Sequence, residues 1–325
     1  MTGGAGYIGS VTARELIKQG YEVVIFDNLS YGHEKTVPER AKFIKGDLLD
    51  RANILSALSN EKIEAVIHFA GFIAVGESVK EPLKYIRNNI VGGNNLLDSM
   101  RELKIDKIIF SSSAAVYGDP EKIPIEEDDK LSPTSPYGET KLIFEKFLNW
   151  CDTAYGIRSV CLRYFNAAGA DLENDLGEDH DPETHLIPLV LKVALGQREK
   201  IDIFGTDYDT ADGTCVRDYV HVKDLASAHV LALKRLRAGK ASAFYNVGSS
   251  KGYSVREVVD MCEKVTGKKI KVAESPRRPG DPPKLVASSD KIKKELGFRF
   301  EHSDLRNILE SAWAWHSSHP QGYEK

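Results

Sequence analysis

Tyr137 and Lys141 stand four residues apart in Ser135-Pro-Tyr-Gly-Glu-Thr-Lys141, and Ser113 closes the run Phe110-Ser-Ser-Ser113 twenty-four residues before the tyrosine. A phenol, an amine and a hydroxyl can together move a proton. If the segment from Tyr137 is helical, positions i and i+4 share a face, so the ammonium reaches both the phenol and a ligand. A free phenol titrates near pH 10, and bringing it to neutrality takes about 3 units, or roughly 4 kcal/mol of preferential phenolate stabilisation, which a cation in a desolvated cleft can supply. Taken alone, Tyr-x-x-x-Lys is a weak pattern and reads better as a surface helix. A second signal is needed.

The N-terminal region carries it. In Thr2-Gly-Gly-Ala-Gly-Tyr-Ile-Gly9, Gly3, Gly6 and Gly9 recur every three residues. Such a loop suits a dinucleotide: one glycine for a tight turn, one for close approach of backbone to a pyrophosphate, one for packing of the next helix on the sheet. The helix N-terminus then faces the phosphates. Ile8, Thr12 and Leu16 fall on one helical face, and Gly20 ends the run. The apolar stretch Tyr21 to Asp27 follows and ends in an acid. A carboxylate there binds the ribose hydroxyls of adenosine and repels a 2′-phosphate, so NAD is expected in preference to NADP.

Those groups need a scaffold. The chain has 325 residues, 42% of them hydrophobic, enough for a sizeable core and two domains. Short β-branched runs at 23–26, 43–45, 65–69, 107–110 and 159–163 alternate with helical stretches, which predicts an α/β fold, a Rossmann-like doubly wound parallel sheet. The loops after the strands then share one edge, where ligands bind. Asp47-Leu48, Phe69-Ala70-Gly71, Ser111 to Ser113 and Tyr164-Phe165-Asn166 all lie there. Phe69 and Phe165 could equally be plain core.

After Ala170 the texture changes to an acidic loop, 171–185, and a smaller α/β substrate-binding domain is expected to follow. The boundaries are 1–169 for the NAD-binding domain and 170–325 for the second, with segments returning to the first sheet. Val216 to Val222 reads as a strand feeding a helix over 224–237. Ser275-Pro-Arg-Arg-Pro-Gly-Asp-Pro-Pro283 is a rigid charged loop, either solvated or suited to a phosphate and a ribose. The formal net charge of −4 and the scattered basic residues argue against nucleic acid, and no apolar run reaches membrane-spanning length. No secretory signal is evident. Cys151, Cys161, Cys215 and Cys262 have neither zinc spacing nor a disulfide framework, so they read as reduced core thiols of a cytoplasmic protein. No metal is expected, and His180 and His185 read as solvated loop histidines.

With these residues in view, nearly the whole chain resembles the extended short-chain dehydrogenase/reductase family, in its NAD-dependent epimerase/dehydratase branch. The resemblance rests on Thr2 to Gly9, His68-Phe-Ala-Gly71, Ala74 to Ser78, Phe110 to Gly118, Ser135-Pro-Tyr-Gly138, Leu162 to Asn166, Gly213 to Tyr219 and Arg277 to Asp281. It implies NAD contacts from Tyr7, Ile8, Asp27, Asn28, Asp47, Leu48, Phe69, Ala70, Gly71, Asn88, Tyr137, Lys141 and Phe165. It implies UDP-sugar contacts from Ser113, Tyr137, Asn166, Leu186, Phe204, Arg217, Arg278 and Asp281, the last two on diphosphate and ribose. The implied reaction is reversible inversion at carbon 4 of a UDP-hexose through a 4-keto sugar, with NAD kept bound and a place in galactose metabolism. Tyr137 acts as base, Ser113 bonds the reacting oxygen, and Lys141 holds the cofactor ribose and depresses the phenol pKa.

The resemblance also implies a homodimer, with helices near Pro82 to Leu103 and Tyr137 to Tyr155 pairing across a two-fold axis, although their apolar faces could instead pack only inward. Two departures stand out. The family has a strand of about five residues before the glycine loop, and only Met1 precedes Thr2 here, so that strand is expected to be missing. Ile73 stands where some members carry a lysine. Leu285 lies where some carry a bulky tyrosine that rejects N-acetylated sugars, so UDP-N-acetylglucosamine is a further expected substrate unless Leu285 is core. A dehydratase or decarboxylase on the same scaffold is disfavoured, because Ala114 and Ala115 follow Ser113 where dehydratases place Asp and Glu. A non-catalytic NAD-sensing module remains the alternative from another class.

Overall fold

The computed structural model describes residues 1–173, 175–278 and 281–323. In chain order the elements are α1 (Tyr7–Lys18), β1 (Val24–Asp27), β2 (Lys42–Lys45), α2 (Arg51–Ser59), β3 (Val66–His68), α3 (Val75–Lys80), α4 (Pro82–Tyr85), a π-helical turn (Ile86–Val91), α5 (Gly92–Glu102), β4 (Lys107–Ser113), α6 (Pro136–Tyr155), β5 (Arg158–Tyr164) and β6 (Asn166–Ala168). They continue with α7 (Leu186–Ala194), β7 (Ile201–Phe204), β8 (Val216–His221), α8 (Val222–Arg237), β9 (Ala243–Val247), β10 (Gly252–Ser254), α9 (Val255–Thr266), β11 (Val272–Ser275), β12 (Lys284–Leu285), α10 (Asp290–Leu296) and α11 (Leu305–Ser318).

Alternation along the strands explains the main sheet. Ile108, Phe110 and Cys161 pack with Phe144 and Leu148 of α6 and Leu96 and Met100 of α5 on one face. Ile109, Val160 and Leu162 pack with Leu16 of α1 and Leu225 and Leu233 of α8 on the other. A sheet apolar on both faces must be covered on both, which is the doubly wound arrangement. β3, β4, β5 and β9 pair in parallel in that order, and β1 pairs in parallel with β2.

Between β1 and β3 the central position is held by Met1 and Thr2 alone. Thr2 bridges Phe26 and His68 in parallel sense, its N–H donating to Ile67 O at 3.0 Å and its carbonyl accepting from Phe69 N at 2.9 Å. Thr2 Oγ1 also meets His68 Nδ1 at 2.6 Å. Two residues therefore carry the glycine loop into its place in the sheet.

The chain leaves the main sheet at Phe165. Its N–H still bonds Val247 O of β9 at 3.2 Å, while Asn166 already pairs with Tyr219 of β8. β10, β8 and β12 form a smaller sheet, and β7 pairs with β11. Residues 171–185 form no helix or strand among those described. Of the charged run 275–283, Pro279 and Gly280 lie outside the described residues.

Candidate active site

Three strand-to-helix junctions build the cofactor half. Gly3 has φ +70°, and a Cβ there would stand 2.4 Å from Ala70 N. A Cβ on Gly9 would stand 2.3 Å from Gly3 O, so only glycine lets α1 pack this closely. At Gly6, the residue before α1, an added Cβ would meet nothing nearer than Gly3 O at 3.4 Å, which leaves that side of the loop open to a ligand. Tyr7 locks the turn by donating its hydroxyl to Gly169 O at 2.5 Å, and Ile8 packs on the apolar layer beneath.

Asp27 ends β1 and is buried. It accepts from Ala5 N at 3.0 Å and Leu29 N at 2.9 Å, so the acid expected at a ribose clamps the glycine loop. Burial raises its pKa, and those N–H groups pull it back. Two carboxylate oxygens retain lone pairs for hydroxyls. Asn28 donates to Asp47 at 3.0 Å, joining the ends of β1 and β2. Leu48 lies against Gly92, and its carbonyl accepts from Asn95 at 2.9 Å.

The catalytic trio comes together. Ser135 accepts from Gly138 N at 3.2 Å as N-cap of α6, Pro136 opens the helix, and Gly156 closes it at φ +71°. This sets Tyr137 and Lys141 in the first turns, facing the end of β4. Tyr137 is 9% exposed and Lys141 4%. The Ser113 hydroxyl lies close enough to the Tyr137 phenol to pull its pKa down, and Ser113 Oγ also accepts from Ala115 N at 3.1 Å. Lys141 Nζ donates to Ser111 O at 2.7 Å and lies 4.9 Å from the Phe110 ring centroid and 5.8 Å from that of Tyr137. A Cβ on Gly71 would stand 3.8 Å from that amine, so Phe69, Ala70 and Gly71 wall the same cleft.

The electrostatics differ from the expected depression of the phenol. Burial by the protein raises the Tyr137 pKa, and only Ser113 opposes it. Lys141 is spent on a carbonyl, and burial lowers its own pKa to about 8. Neighbouring His68 is driven down to about 3 by burial and by Lys141. A desolvated cleft without enough positive charge disfavours phenolate.

Sequence reasoning missed the residues that support this centre. Ser78 accepts from Tyr137 N at 3.2 Å. Asn89 accepts from Phe72 N at 2.8 Å and donates to Phe72 O and to Thr140, each at 3.1 Å. Asn88 in turn donates to Asn89 at 3.0 Å. Both asparagines sit in the π-helical turn, a widening of the helix often found at functional positions. The signal was Asn89 beside Asn88, but no periodicity reveals a π turn.

The residues expected to meet a substrate come mostly from the smaller sheet and the loops around it. Leu285 pairs with Arg217 through β12 and β8 and packs on the group of Ala114, Val116, Leu142 and Phe165, so it borders the catalytic strand end. Leu285 is thus partly core, yet beside the site. Arg217 is ion-paired with Asp281, and Arg278 stacks its guanidinium 3.9 Å from the Phe204 ring centroid. Asn166 starts β6 and Leu186 starts α7. Asp218, fully buried, accepts from Ser249 N at 2.7 Å, Ser250 N at 3.0 Å and Ala287 N at 3.1 Å, fixing the loops on either side of Arg217. Ala114 and Ala115 form a short turn after β4, with no carboxylate directly beyond Ser113.

One expectation is corrected in part. His180 is largely buried, while His185 keeps an exposed side chain, and Glu178, His180, Glu183 and His185 converge, with one ligand-type atom from each lying within 4.8 Å of the others. Local spacing gave no hint, because an irregular loop brings them together. Another is refined: Cys151 is only partly buried, while Cys161, Cys215 and Cys262 are buried, and all four are free.

A glycine loop on a parallel sheet, an acid at the end of the next strand and a Ser-Tyr-Lys centre define a nucleotide-dependent enzyme of the short-chain dehydrogenase/reductase type. The model of the NAD dependent epimerase/dehydratase family matches residues 1–248, and the chain belongs to that family. It is 51% identical to the UDP-glucose 4-epimerase of Halalkalibacterium halodurans over 323 residues, 99% of this chain and 96% of the relative. Among solved structures, UDP-glucose 4-epimerase from Brucella ovis in complex with NAD is 47% identical with a TM-score of 0.94, covering 96% of each chain. The Bifidobacterium longum enzyme in complex with NAD+ and UDP is 40% identical with a TM-score of 0.94, covering 99% of this chain and 98% of that one.

Proposed function

We propose that the protein is an NAD-dependent 4-epimerase of UDP-hexoses, interconverting UDP-glucose and UDP-galactose. The observation that carries this reading is the buried Tyr137 and Lys141 on the first turns of α6, with Ser113 acting on the phenol from the end of β4 and Leu285 packed beside Ala114 and paired with Arg217. NAD fits: the glycine loop is open at Gly6, Asp27 keeps acceptor capacity, and Lys141 borders Gly71. When bound it supplies a hydride acceptor at carbon 4 that serves as donor on return.

The chain's own residues do the rest. Tyr137 takes the proton of the sugar 4-hydroxyl and gives it back, and Ser113 bonds the same oxygen. Burial holds the phenol neutral until cationic charge gathers beside it. Lys141, 5.8 Å from the Tyr137 ring centroid, is the chain's own source of that charge, to which a cationic cofactor ring would add. Arg217, Arg278 and Asp281 hold the UDP portion while the 4-keto sugar turns about its phosphoryl linkage and presents the other face. Inversion follows without net redox. Purified protein given UDP-galactose and no redox partner should form UDP-glucose; a one-way elimination product, or none, contradicts the reading.

The finer assignments are ours as well. The 170–325 segment binds the UDP-sugar, with Leu285 leaving room for an N-acetyl group. No described helix is long and apolar enough to cross a membrane. Four free cysteines favour a reducing compartment, the cytoplasm. A homodimer is supported by apolar side chains turned outward on neighbouring elements: Val79 at 62% exposure and Leu83 at 77% beside α6, which exposes Trp150 at 68%. An apolar patch of this kind marks an interface.

A further inference from the structure

We propose that Glu178, His180, Glu183 and His185 form a binding site for one divalent metal ion of the zinc class, which pins the loop 171–185 at the start of α7. The donor set is two imidazole nitrogens and two carboxylates, a set zinc accepts readily. Around His180 the spacing matches a coordination sphere better than a set of hydrogen bonds. His180 Nδ1 lies 3.4 Å from Glu178 Oε1 and 3.5 Å from Glu183 Oε2, and it is buried without a hydrogen-bond partner. A protonated imidazole between two carboxylates should donate at about 2.7 to 2.9 Å. Ligands about 2.0 to 2.1 Å from a tetrahedral ion stand about 3.3 to 3.4 Å from one another. His185 Nδ1 stands at hydrogen-bond distance, 2.9 Å from both Glu178 Oε1 and Glu183 Oε1, and a bound ion would take the place of that proton.

Burial adds a second argument. The Glu178 and Glu183 side chains are only 5% and 3% exposed, so their two negative charges need two positive ones close by. Either both histidines are protonated, or one divalent cation neutralises both acids with the imidazoles neutral. The His185 side chain stays 43% exposed, which leaves a path for the ion and room for a water. The other two acidic groupings differ: 126/128/129 and 171/173/175 are all-carboxylate and are already engaged by Lys122 and by Arg14 and Lys18.

The loop's position gives the ion a purpose. The ring of His180 lies edge-on 6.5 Å from that of Tyr7, whose hydroxyl braces the glycine loop, and His185 caps α7 directly before Leu186. Asp179, between two ligands, accepts from Tyr323 N at 3.0 Å and faces away from the cluster. A bound ion would tie the cofactor loop and the substrate helix to one point.

The test uses the full chain, purified without a histidine tag. After desalting from micromolar Zn2+, elemental analysis should find about one zinc per chain; Co2+ loading should give a visible band of tetrahedral intensity; and Zn2+ should raise the melting temperature of metal-stripped protein. His180→Ala and the separate Glu183→Gln variant should each lower zinc retention at least tenfold and abolish the Co2+ band, with far-ultraviolet dichroism confirming that they fold. If either variant fails to fold, the Co2+ spectrum and Zn2+-dependent melting of the parent decide. Parent protein with no retained zinc, no Co2+ band and no melting shift would overturn the proposal, leaving a double ion pair. Equal retention by parent and folded variants would overturn it too.

Discussion

At the scale of the residue, the centre works by setting burial against charge. Tyr137 is held neutral by desolvation and tempered only by Ser113. Tyr137→Phe removes the proton carrier and keeps the ring, so turnover should fall by about 10² to 10⁴-fold while UDP binding, followed by calorimetry, stays within a few-fold. Lys141 carries a stability cost with a definite sign. Its folded pKa of about 8 lies below the unfolded value near 10.4. Below pH 8 the amine is charged in both states and the burial cost is complete. Between 8 and 10.4 the unfolded chain binds more protons, so unfolding free energy rises with pH. Cofactor-free Lys141→Met should therefore unfold at higher denaturant than the parent at pH 7, by about 1 to 3 kcal/mol, with the gap closing by pH 10. Unchanged or lower stability at pH 7 would show that the amine is not desolvated. The trio was legible in the sequence because i, i+4 spacing is local. The direction of the Tyr137 shift was not, because it depends on how completely two strands and a helix exclude water.

At the scale of the element, the glycine loop, α6 and the π-helical turn hold these groups in register. Strand ends and α1 were readable, the latter from Ile8, Thr12 and Leu16, while α6 entered only as the condition that places Tyr137 and Lys141 on one face, its Ser135 cap and Pro136 start coming from the structure. The π turn was not, since Asn89 reveals its role only through contacts with Phe72 and Thr140, and Asn88, named only by the family resemblance, through its bond to Asn89. Asn89→Leu keeps bulk but strands the Phe72 N–H, a loss of about 1 to 3 kcal/mol. It should weaken NAD retention, measured by gel filtration and absorbance, with the fold intact by dichroism. Gly9→Ala places a methyl 2.3 Å from Gly3 O and should abolish NAD binding, because the loop must move where the backbone has no room. The cluster of Glu178, His180, Glu183 and His185 escaped reading for a related reason: it is assembled by irregular backbone, which has no period.

At the scale of the whole molecule, the chain crosses from one sheet to another at Phe165–Asn166, so the strand that ends beside the proposed catalytic centre continues into the sheet that carries Arg217. The doubly wound sheet followed from alternating strand and helix patterns. The smaller β10-β8-β12 sheet did not, since its strands are short and joined across distant sequence. Leu285→Tyr should cut turnover of UDP-N-acetylglucosamine about 10- to 200-fold relative to UDP-glucose, the discrimination that shape alone provides. On the outer surface, Leu83→Glu should give a monomer by light scattering where the parent is a dimer. The most direct measurement of the central claim is incubation of the purified chain with UDP-galactose, without added oxidant or reductant, beside its Tyr137→Phe variant. The account predicts UDP-glucose accumulating to a fixed ratio that is also reached from UDP-glucose, at least a hundredfold more slowly in the variant. Near-normal conversion by the variant, or none by a parent that binds NAD, would contradict it.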